Sequence, residues 1–182
     1  FYKNILETVP IFMFGSVSLF TGTQIYNGLL YVSFNLFFTA LPIIWFATMD
    51  YEYQKQVIIR RPRLYELASK RLLQQVGLLE GIFYAFWQSS LILFLAYYTL
   101  DSLSPNQNGM FGGIYMGGEF IFGTLVIVSN MKIMISSYLV NGWSLFFVIG
   151  STLFYILCYV IISFCLVNSA EFGTLTMMMQ AP

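Results

Sequence analysis

Two ionisable side chains lie inside the apolar N-terminal part of the sequence. Lys3 and Glu7 are four residues apart, so a helix places them on one face, where they can pair. The other ionisable residues of the apolar segments are Glu80, Glu119 and Lys132, and each falls near a predicted helix end, where snorkelling or capping is usual. Because burying a charge among apolar groups is costly, such residues predict a functional site.

A polar stripe follows in the next apolar segment. Asn35 and Thr39 are again four residues apart, two turns and one turn before Pro42. Pro42, like Pro10, removes a backbone donor and leaves one helical carbonyl without its usual partner, so both positions predict helix kinks. The stripe either lines a hydrophilic path or forms a hydrogen-bonded seam between helices, and the sequence leaves both interpretations open.

The sequence lacks the residues and motifs that most metal sites, disulfides and catalytic sites require. It has no histidine, which removes the commonest metal ligand and the physiological-pH proton shuttle. Cys158 and Cys165 are seven residues apart on one predicted helix, about 10.5 Å along its axis and beyond disulfide reach. No phosphate-binding loop, serine-nucleophile elbow or paired-cysteine motif occurs. We therefore expect neither a metal site nor a catalytic residue in this chain.

The composition decides the class of protein. Of 182 residues, 58% are hydrophobic and 9% are charged, whereas a soluble domain carries about 25% charged residues. So few charges cannot cover a soluble globule, and the hydrophobicity excludes a disordered chain. Eight basic residues balance eight acidic ones, so no basic face for nucleic acid is expected. What remains is a polytopic helical membrane protein.

The charge-free runs locate the helices that must position the polar residues. Residues 8–49, 81–100 and 133–170 contain no charge, and a membrane helix needs about 20 residues. Turn formers at 21–28 and 141–142 divide the two long runs. We therefore predict an all-α bundle of five spans, at about 1–20, 29–49, 78–100, 113–138 and 143–167. Since the sequence starts with Phe inside an apolar helix, we expect a segment of a longer chain.

The basic residues predict the orientation of the bundle. Six of the eight lie in the polar stretch 50–76, including Arg60, Arg61 and Arg63. Such a cluster is typical of a cytoplasmic loop. Pro62 ends any helix that enters from the second span, and 64–76 then form a short helix, which we interpret as a solvated juxtamembrane element that contacts anionic headgroups.

The order of the residues resembles one known family. The string Phe-Tyr-Lys-Asn at 1–4, followed by an apolar span that ends in Phe-Thr-Gly-Thr-Gln, resembles the fifth membrane helix of type IV P-type ATPases, the phospholipid flippases. Residues 33–50, with Asn35, Thr39, Pro42 and a terminal Asp, are similar to the sixth helix. Weaker similarities are Arg-Pro-Arg-Leu-Tyr in the cytoplasmic loop, Ser-Asn-Met-Lys at 129–132 and Gly-Ser at 150–151.

This resemblance implies a fragment of a ten-helix membrane domain, helices five to nine, in which ATP and Mg²⁺ act in the missing regions. It implies ATP-driven movement of a phospholipid from the exoplasmic to the cytoplasmic leaflet, in a eukaryotic endomembrane or the plasma membrane. Lys3 and Asn4 would lie mid-membrane and couple lipid binding to dephosphorylation, while Asn35 and Thr39 would line the headgroup path. A glycosylated two-span accessory subunit would be the partner.

Two other classes of function stay open at this point. In the first, the chain is a structural membrane subunit or an inactive flippase-like segment of a larger assembly, including an assembly in which it is fused to another enzyme. Alternatively, it is a channel or secondary transporter that uses Lys3 and Asn35 for a small solute.

Overall fold

The regular elements of the part that the structure describes are all helices. A computed structural model describes residues 1–51, 53, 55–61, 63–64, 66, 75–100 and 114–165. The helices within these ranges are α1 (Tyr2–Val17), α2 (Gly28–Ser33), a π-helical turn (Phe34–Phe38), α3 (Ala40–Met49), α4 (Lys55–Arg60), α5 (Gln75–Leu100), α6 (Ile114–Ser136) and α7 (Gly142–Cys165). The prediction of an all-α membrane protein is confirmed.

Among the described residues, four segments are long and apolar enough to cross a bilayer. They are Gly28–Met49, Gly77–Thr99, Met116–Ser136 and Gly142–Phe164, and they coincide with the second to fifth predicted spans. The first of the four joins α2, the π-helical turn and α3, and we call it span two. Helix α1 has 16 residues, which gives it a length of about 24 Å, less than the roughly 30 Å of a hydrocarbon core.

An aromatic cluster forms the centre of the bundle. The Phe122 ring on α6 lies edge-on to Tyr26, Phe34 and Phe38, with ring centroids 5.2, 5.6 and 6.4 Å away. Tyr155 on α7 completes the cluster, 5.7 Å from Phe122. Most other large apolar side chains point outward, as expected when lipid and not water surrounds the helices. Span two is therefore fixed against α6 and α7 by ring packing.

Helix α1 packs along α5. The Tyr2 hydroxyl on α1 forms a hydrogen bond with Gln88 Oε1 on α5. Lys132 Nζ on α6 lies 5.7 Å from the Tyr2 ring centroid and 5.6 Å from that of Tyr84. A cation over two aromatic faces is attracted by both, so Lys132 joins three helices near one end of the bundle.

The loop between α1 and α2 has an unusual backbone. Leu19 and Phe20 both have φ of 54°, and Gly22 has φ of 81°. Left-handed geometry is strained for Leu and Phe but not for glycine. The Phe20 N–H donates to the Gly15 carbonyl at 2.8 Å, which satisfies one carbonyl at the end of α1. Asn27 then begins α2, because its Oδ1 accepts the N–H of Leu29 at 2.8 Å.

Asp50 joins the end of span two to the loop between α6 and α7. Its Oδ1 accepts the Leu139 N–H at 2.8 Å and its Oδ2 accepts the Tyr138 N–H at 3.3 Å. A carboxylate is a strong acceptor for backbone N–H groups. The contact therefore holds the α6–α7 loop, which contains the predicted break at 141–142, against the end of α3.

Of the predicted cytoplasmic loop, 50–76, the structure describes only a part. Arg60 ends α4, and Arg60, Arg61 and Arg63 are all exposed, as a solvated basic loop requires. Pro62 and most of the predicted helix at 64–76 lie outside the described residues.

Candidate functional site

The backbone of span two changes register where the polar stripe lies. The Thr39 N–H donates to the Phe34 carbonyl, five residues earlier, at 3.1 Å, and Thr39 Oγ1 donates to the same oxygen at 2.7 Å. This is a π-helical turn. Such turns are rare in proteins, and those that occur often lie at functional sites. Pro42 follows and has no N–H, so the Phe38 carbonyl lacks its helical donor. The π-helical turn thus lies just before Pro42, and the Thr39 side chain is buried there. The kink at Pro42 stays a prediction.

The four polar side chains of α1 and span two meet in pairs. Lys3 Nζ donates to Thr39 Oγ1 at 2.9 Å, and Asn35 Nδ2 donates to Glu7 Oε2 at 3.3 Å. Glu7 is only 3% exposed, and its other oxygen, Oε1, is buried without a hydrogen-bond partner among the described residues. Lys3 and Glu7 attract each other along α1, but the hydrogen-bond partner of each lies on span two. We call these four residues the polar seam.

The geometry of the polar seam follows from antiparallel helices. On each helix the two polar residues are one turn apart, so they share a face. Residue numbers rise in opposite directions along the two partners, which brings Lys3 to Thr39 and Glu7 to Asn35. A helical half-turn of mismatch in either element would separate both pairs. The structure therefore contains the interhelical hydrogen-bond seam, while the headgroup path along these residues stays a prediction.

The structure does not bring Asn4 into the polar seam. Its side chain is exposed on α1, and its carbonyl accepts the Thr8 hydroxyl at 2.7 Å. Pro10 is buried within α1, which continues without interruption to Val17. Pro10 thus lies inside a single helix, and the kink at this position stays a prediction.

The position expected for Glu119 is wrong. It is 3% exposed and lies inside the bundle, whereas a snorkelling or capping role requires a residue at the helix edge. The Tyr155 hydroxyl on α7 donates to the Glu119 carbonyl at 3.2 Å, which draws this turn of α6 into the interhelical contact. Glu80, by contrast, is exposed as expected.

A buried asparagine on α6 was missed as a functional candidate. Asn130 Nδ2 donates to the Phe38 carbonyl at 3.1 Å and to Ser151 Oγ at 3.0 Å. The sequence offered a signal, because the proline at 42 predicts a carbonyl in need of a donor. In the sequence, Asn130 and Ser151 stand out only because they lie in the two short strings that resemble the flippase family. The donor for that carbonyl comes from a helix about 90 residues further along the chain.

A cavity of about 630 Å³ lies between the end of α1 and the start of span two. Most of its wall is apolar, and hydroxyl and amide groups interrupt that wall; the lining residues are Thr8, Ile11, Phe12, Phe14, Gly15, Ser18, Phe20, Gly22, Thr23, Gln24, Ile25, Tyr26, Gly28 and Tyr31. Thr8, one of the lining residues, directly follows Glu7 of the polar seam in the sequence.

Among the described residues, no group of three or more His, Cys, Asp or Glu side chains is placed to hold a metal ion. The polar seam can bind charged or hydrogen-bonding groups, since it combines an ammonium, a carboxylate, an amide and a hydroxyl. It contains no activated nucleophile and no acid–base pair aimed at a common point. The groups of the polar seam are suited to recognition of a polar or charged ligand.

The family follows from the whole sequence. Residues 1–182 match the family described as "Phospholipid-translocating P-type ATPase C-terminal". The chain belongs to this family. The resemblance inferred from the spans around Lys3 and Asn35 is thereby confirmed, and with it an integral, multi-pass membrane protein.

Individual relatives agree with the family match. Phospholipid-transporting ATPase IH of Mus musculus is 26% identical over 157 residues, which are 86% of this chain and 13% of that protein. Phospholipid-transporting ATPase IG of Homo sapiens is also 26% identical over 157 residues, 86% of this chain and 14% of that protein. Guanylate cyclase alpha of Plasmodium falciparum (isolate 3D7) is 29% identical over 145 residues, 79% of this chain and 3% of that protein. The chain thus spans about one seventh or less of these relatives.

Proposed function

We propose that the chain is the membrane segment, helices five to nine, of an ATP-driven phospholipid flippase that moves lipid from the exoplasmic to the cytoplasmic leaflet. The polar seam is the observation that carries the proposal. It holds a half-buried ammonium against a hydroxyl at a π-helical turn, in a family named for phospholipid translocation. A phospholipid headgroup brings an anionic phosphate, and a membrane-embedded lysine is the natural group to receive it.

Each residue of the polar seam has a part in this proposal. Lys3 donates to the headgroup, and Thr39 holds the ammonium in place until a phosphate oxygen replaces it. Glu7, bound by Asn35, places a carboxyl group one turn away, and its oxygens would limit how strongly the site retains an anion. Asn4, one residue after Lys3, would report lipid binding to the rest of the full-length protein and so couple it to dephosphorylation.

ATP and Mg²⁺ belong to the proposal through the full-length protein. They would supply phosphoryl transfer to an aspartate, in regions other than this segment. The residues of this chain would bind, orient and release the lipid. A glycosylated two-span accessory subunit is the proposed partner, and co-purification of a deglycosylation-sensitive membrane protein with the full-length chain would test it.

The decisive experiment is lipid-stimulated ATP hydrolysis by the full-length protein in nanodiscs. We expect Lys3→Ala to lose most of the stimulation, because the variant removes the ammonium that receives the headgroup. Lys132→Met is the matched control, since Lys132 contacts only aromatic rings in the described structure and lies outside the polar seam. Unchanged stimulation of Lys3→Ala by every candidate lipid would contradict the proposed role.

A second candidate is a flippase-like membrane segment within a chain that carries another enzyme. The similarity to guanylate cyclase alpha supports it, because that match is 29% identical yet covers only 3% of the relative. The full-length gene distinguishes the two candidates. An Asp-Lys-Thr-Gly phosphorylation site upstream favours the flippase, and a cyclase domain elsewhere in the reading frame favours the fused protein.

A further inference from the structure

Asn130 stands out among the buried polar residues of the bundle. It is fully buried on α6, and its amide donates to two groups outside that helix, the Phe38 carbonyl of span two and Ser151 Oγ of α7. A buried amide costs free energy unless it is hydrogen-bonded. Both hydrogens of the Asn130 amide nitrogen are donated in these two hydrogen bonds. The contribution of the residue to the bundle is therefore as a donor.

The Phe38 carbonyl needs a donor from outside span two. In a regular helix the N–H of residue 42 would serve it, but Pro42 has none. Water is scarce in the bilayer core, so an unserved carbonyl there costs several kcal/mol. The Asn130 amide nitrogen, 3.1 Å from that oxygen, supplies a hydrogen bond in place of the one that the missing N–H would make.

The same peptide group carries the contact with Lys3. Phe38 directly precedes Thr39, whose N–H and hydroxyl both donate to the Phe34 carbonyl. With its proton committed there, the Thr39 oxygen has a lone pair free to accept from Lys3 Nζ at 2.9 Å. Any rotation of the Phe38–Thr39 peptide would move that oxygen away from the ammonium.

We propose that Asn130 is a positioning residue for the Lys3 site. Its amide replaces the helical donor lost at Pro42, fixes the Phe38–Thr39 peptide, and so keeps the Thr39 hydroxyl facing Lys3. The link from Asn130 to lipid handling rests on the proposed function, whereas the link from Asn130 to the backbone of span two does not.

The test is a double-mutant cycle in the full-length protein in nanodiscs. Asn130→Leu keeps the side-chain size and removes the donor, so peptides that cover residues 34–43 should exchange amide hydrogens roughly tenfold faster. Pro42→Ala restores a backbone N–H at position 42. In that background, Asn130→Leu should change the exchange less than about twofold, because the helix then serves its own carbonyl.

Two neighbours provide matched controls. Ser129→Ala alters a buried hydroxyl that donates within α6 to Val126, and it should leave the exchange of 34–43 unchanged. Ser151→Ala removes the second acceptor of Asn130 but leaves the Phe38 contact, so its effect on 34–43 should be smaller than that of Asn130→Leu.

The lipid response separates positioning of Lys3 from general stability. Asn130→Leu should raise the lipid concentration for half-maximal ATPase stimulation several-fold, and in a Lys3→Ala background the same change should add nothing. Wild-type exchange in Asn130→Leu, or an equal effect with and without Pro42→Ala, would overturn the proposal. So would additive effects of Asn130→Leu and Lys3→Ala on the lipid response.

If Asn130→Leu fails to fold, recovery of folded protein by adding Pro42→Ala supports the proposal, and failure of that rescue overturns it. A wild-type protein without lipid-stimulated hydrolysis would contradict the proposed function. The exchange cycle would still decide whether Asn130 serves the Phe38 carbonyl.

Discussion

Removing the Thr39 hydroxyl should loosen the contact between α1 and span two. Thr39→Val keeps the β-branched shape and deletes one oxygen, which donates to the Phe34 carbonyl and accepts from Lys3 Nζ. The Phe34 carbonyl retains the Thr39 N–H, so that loss is partial. The Lys3 ammonium loses the one side-chain acceptor described for it and is half-buried. This second loss dominates.

The magnitude follows from the two hydrogen bonds. A hydrogen bond to a charged group contributes about 1.5–3 kcal/mol, whereas interhelical hydrogen bonds in membranes average about 0.6 and reach about 1.7 kcal/mol. Because Lys3 keeps some exposure and the Phe34 carbonyl keeps one donor, we expect Thr39→Val to lower the free energy of unfolding by about 1.5 kcal/mol. Because the shift in Tm per kcal/mol falls as the cooperative unit grows, the full-length protein should lose less than the roughly 2–4 °C per kcal/mol that is usual for units of 150–250 residues.

Thermal unfolding of the full-length protein in detergent would measure this change. Thr48→Val is the matched control, because Thr48 lies on the same span and its hydroxyl donates only to carbonyls of its own helix, those of Ile44 and Trp45. In a Lys3→Met background, the hydrogen bond to Thr39 is already lost, so Thr39→Val should lower the free energy of unfolding only slightly. Equal shifts for Thr39→Val and Thr48→Val, or full additivity with Lys3→Met, would refute the reasoning.

Three further predictions concern other contacts. Asp50→Asn weakens the cap on the α6–α7 loop by about 1 kcal/mol, so amide exchange in that loop should rise, and unchanged exchange would count against the contact. Gly118→Ala places a Cβ against the Ile25 carbonyl and should reduce the yield of folded protein, whereas Gly117→Ala meets nothing within 4 Å and should not; equal yields would exclude the close approach. Protease added to sealed right-side-out vesicles should not cut at 60–63, and cleavage would reverse the predicted topology.

The sequence predicted the elements and their polar faces well, because both depend on local periodicity. Charge-free runs located the segments long enough to span a membrane, and four-residue spacing put Lys3 with Glu7 and Asn35 with Thr39 on shared faces. That these two faces meet could not be predicted. Periodicity defines a face on each helix, but the rotation of one helix against another is decided by packing along the whole bundle.

Two features of the candidate site depend on contacts distant in sequence. Pro42 predicts a free carbonyl, but it does not predict the donor. Several polar residues on later helices are able to donate, and only the packing of the bundle selects Asn130. Glu119 lies near a helix end, but nearness to a helix end does not imply nearness to the surface, and its side chain is buried. Tyr155 of α7 reaches its backbone carbonyl, a contact that periodicity does not reveal.

The polar seam also bears on how the protein enters the membrane during synthesis. A lysine in an inserting helix is unfavourable, by about 2.5–3.5 kcal/mol at the helix centre on translocon scales and by less towards the ends. Helix α1 carries Lys3 in its first turn, and Glu7 and Pro10 further along. Helix α1 alone is therefore a poor insertion substrate. Span two brings the hydroxyl and amide that match Lys3 and Glu7, so the two elements should leave the translocon as a paired hairpin, with the seam formed before lipid surrounds them.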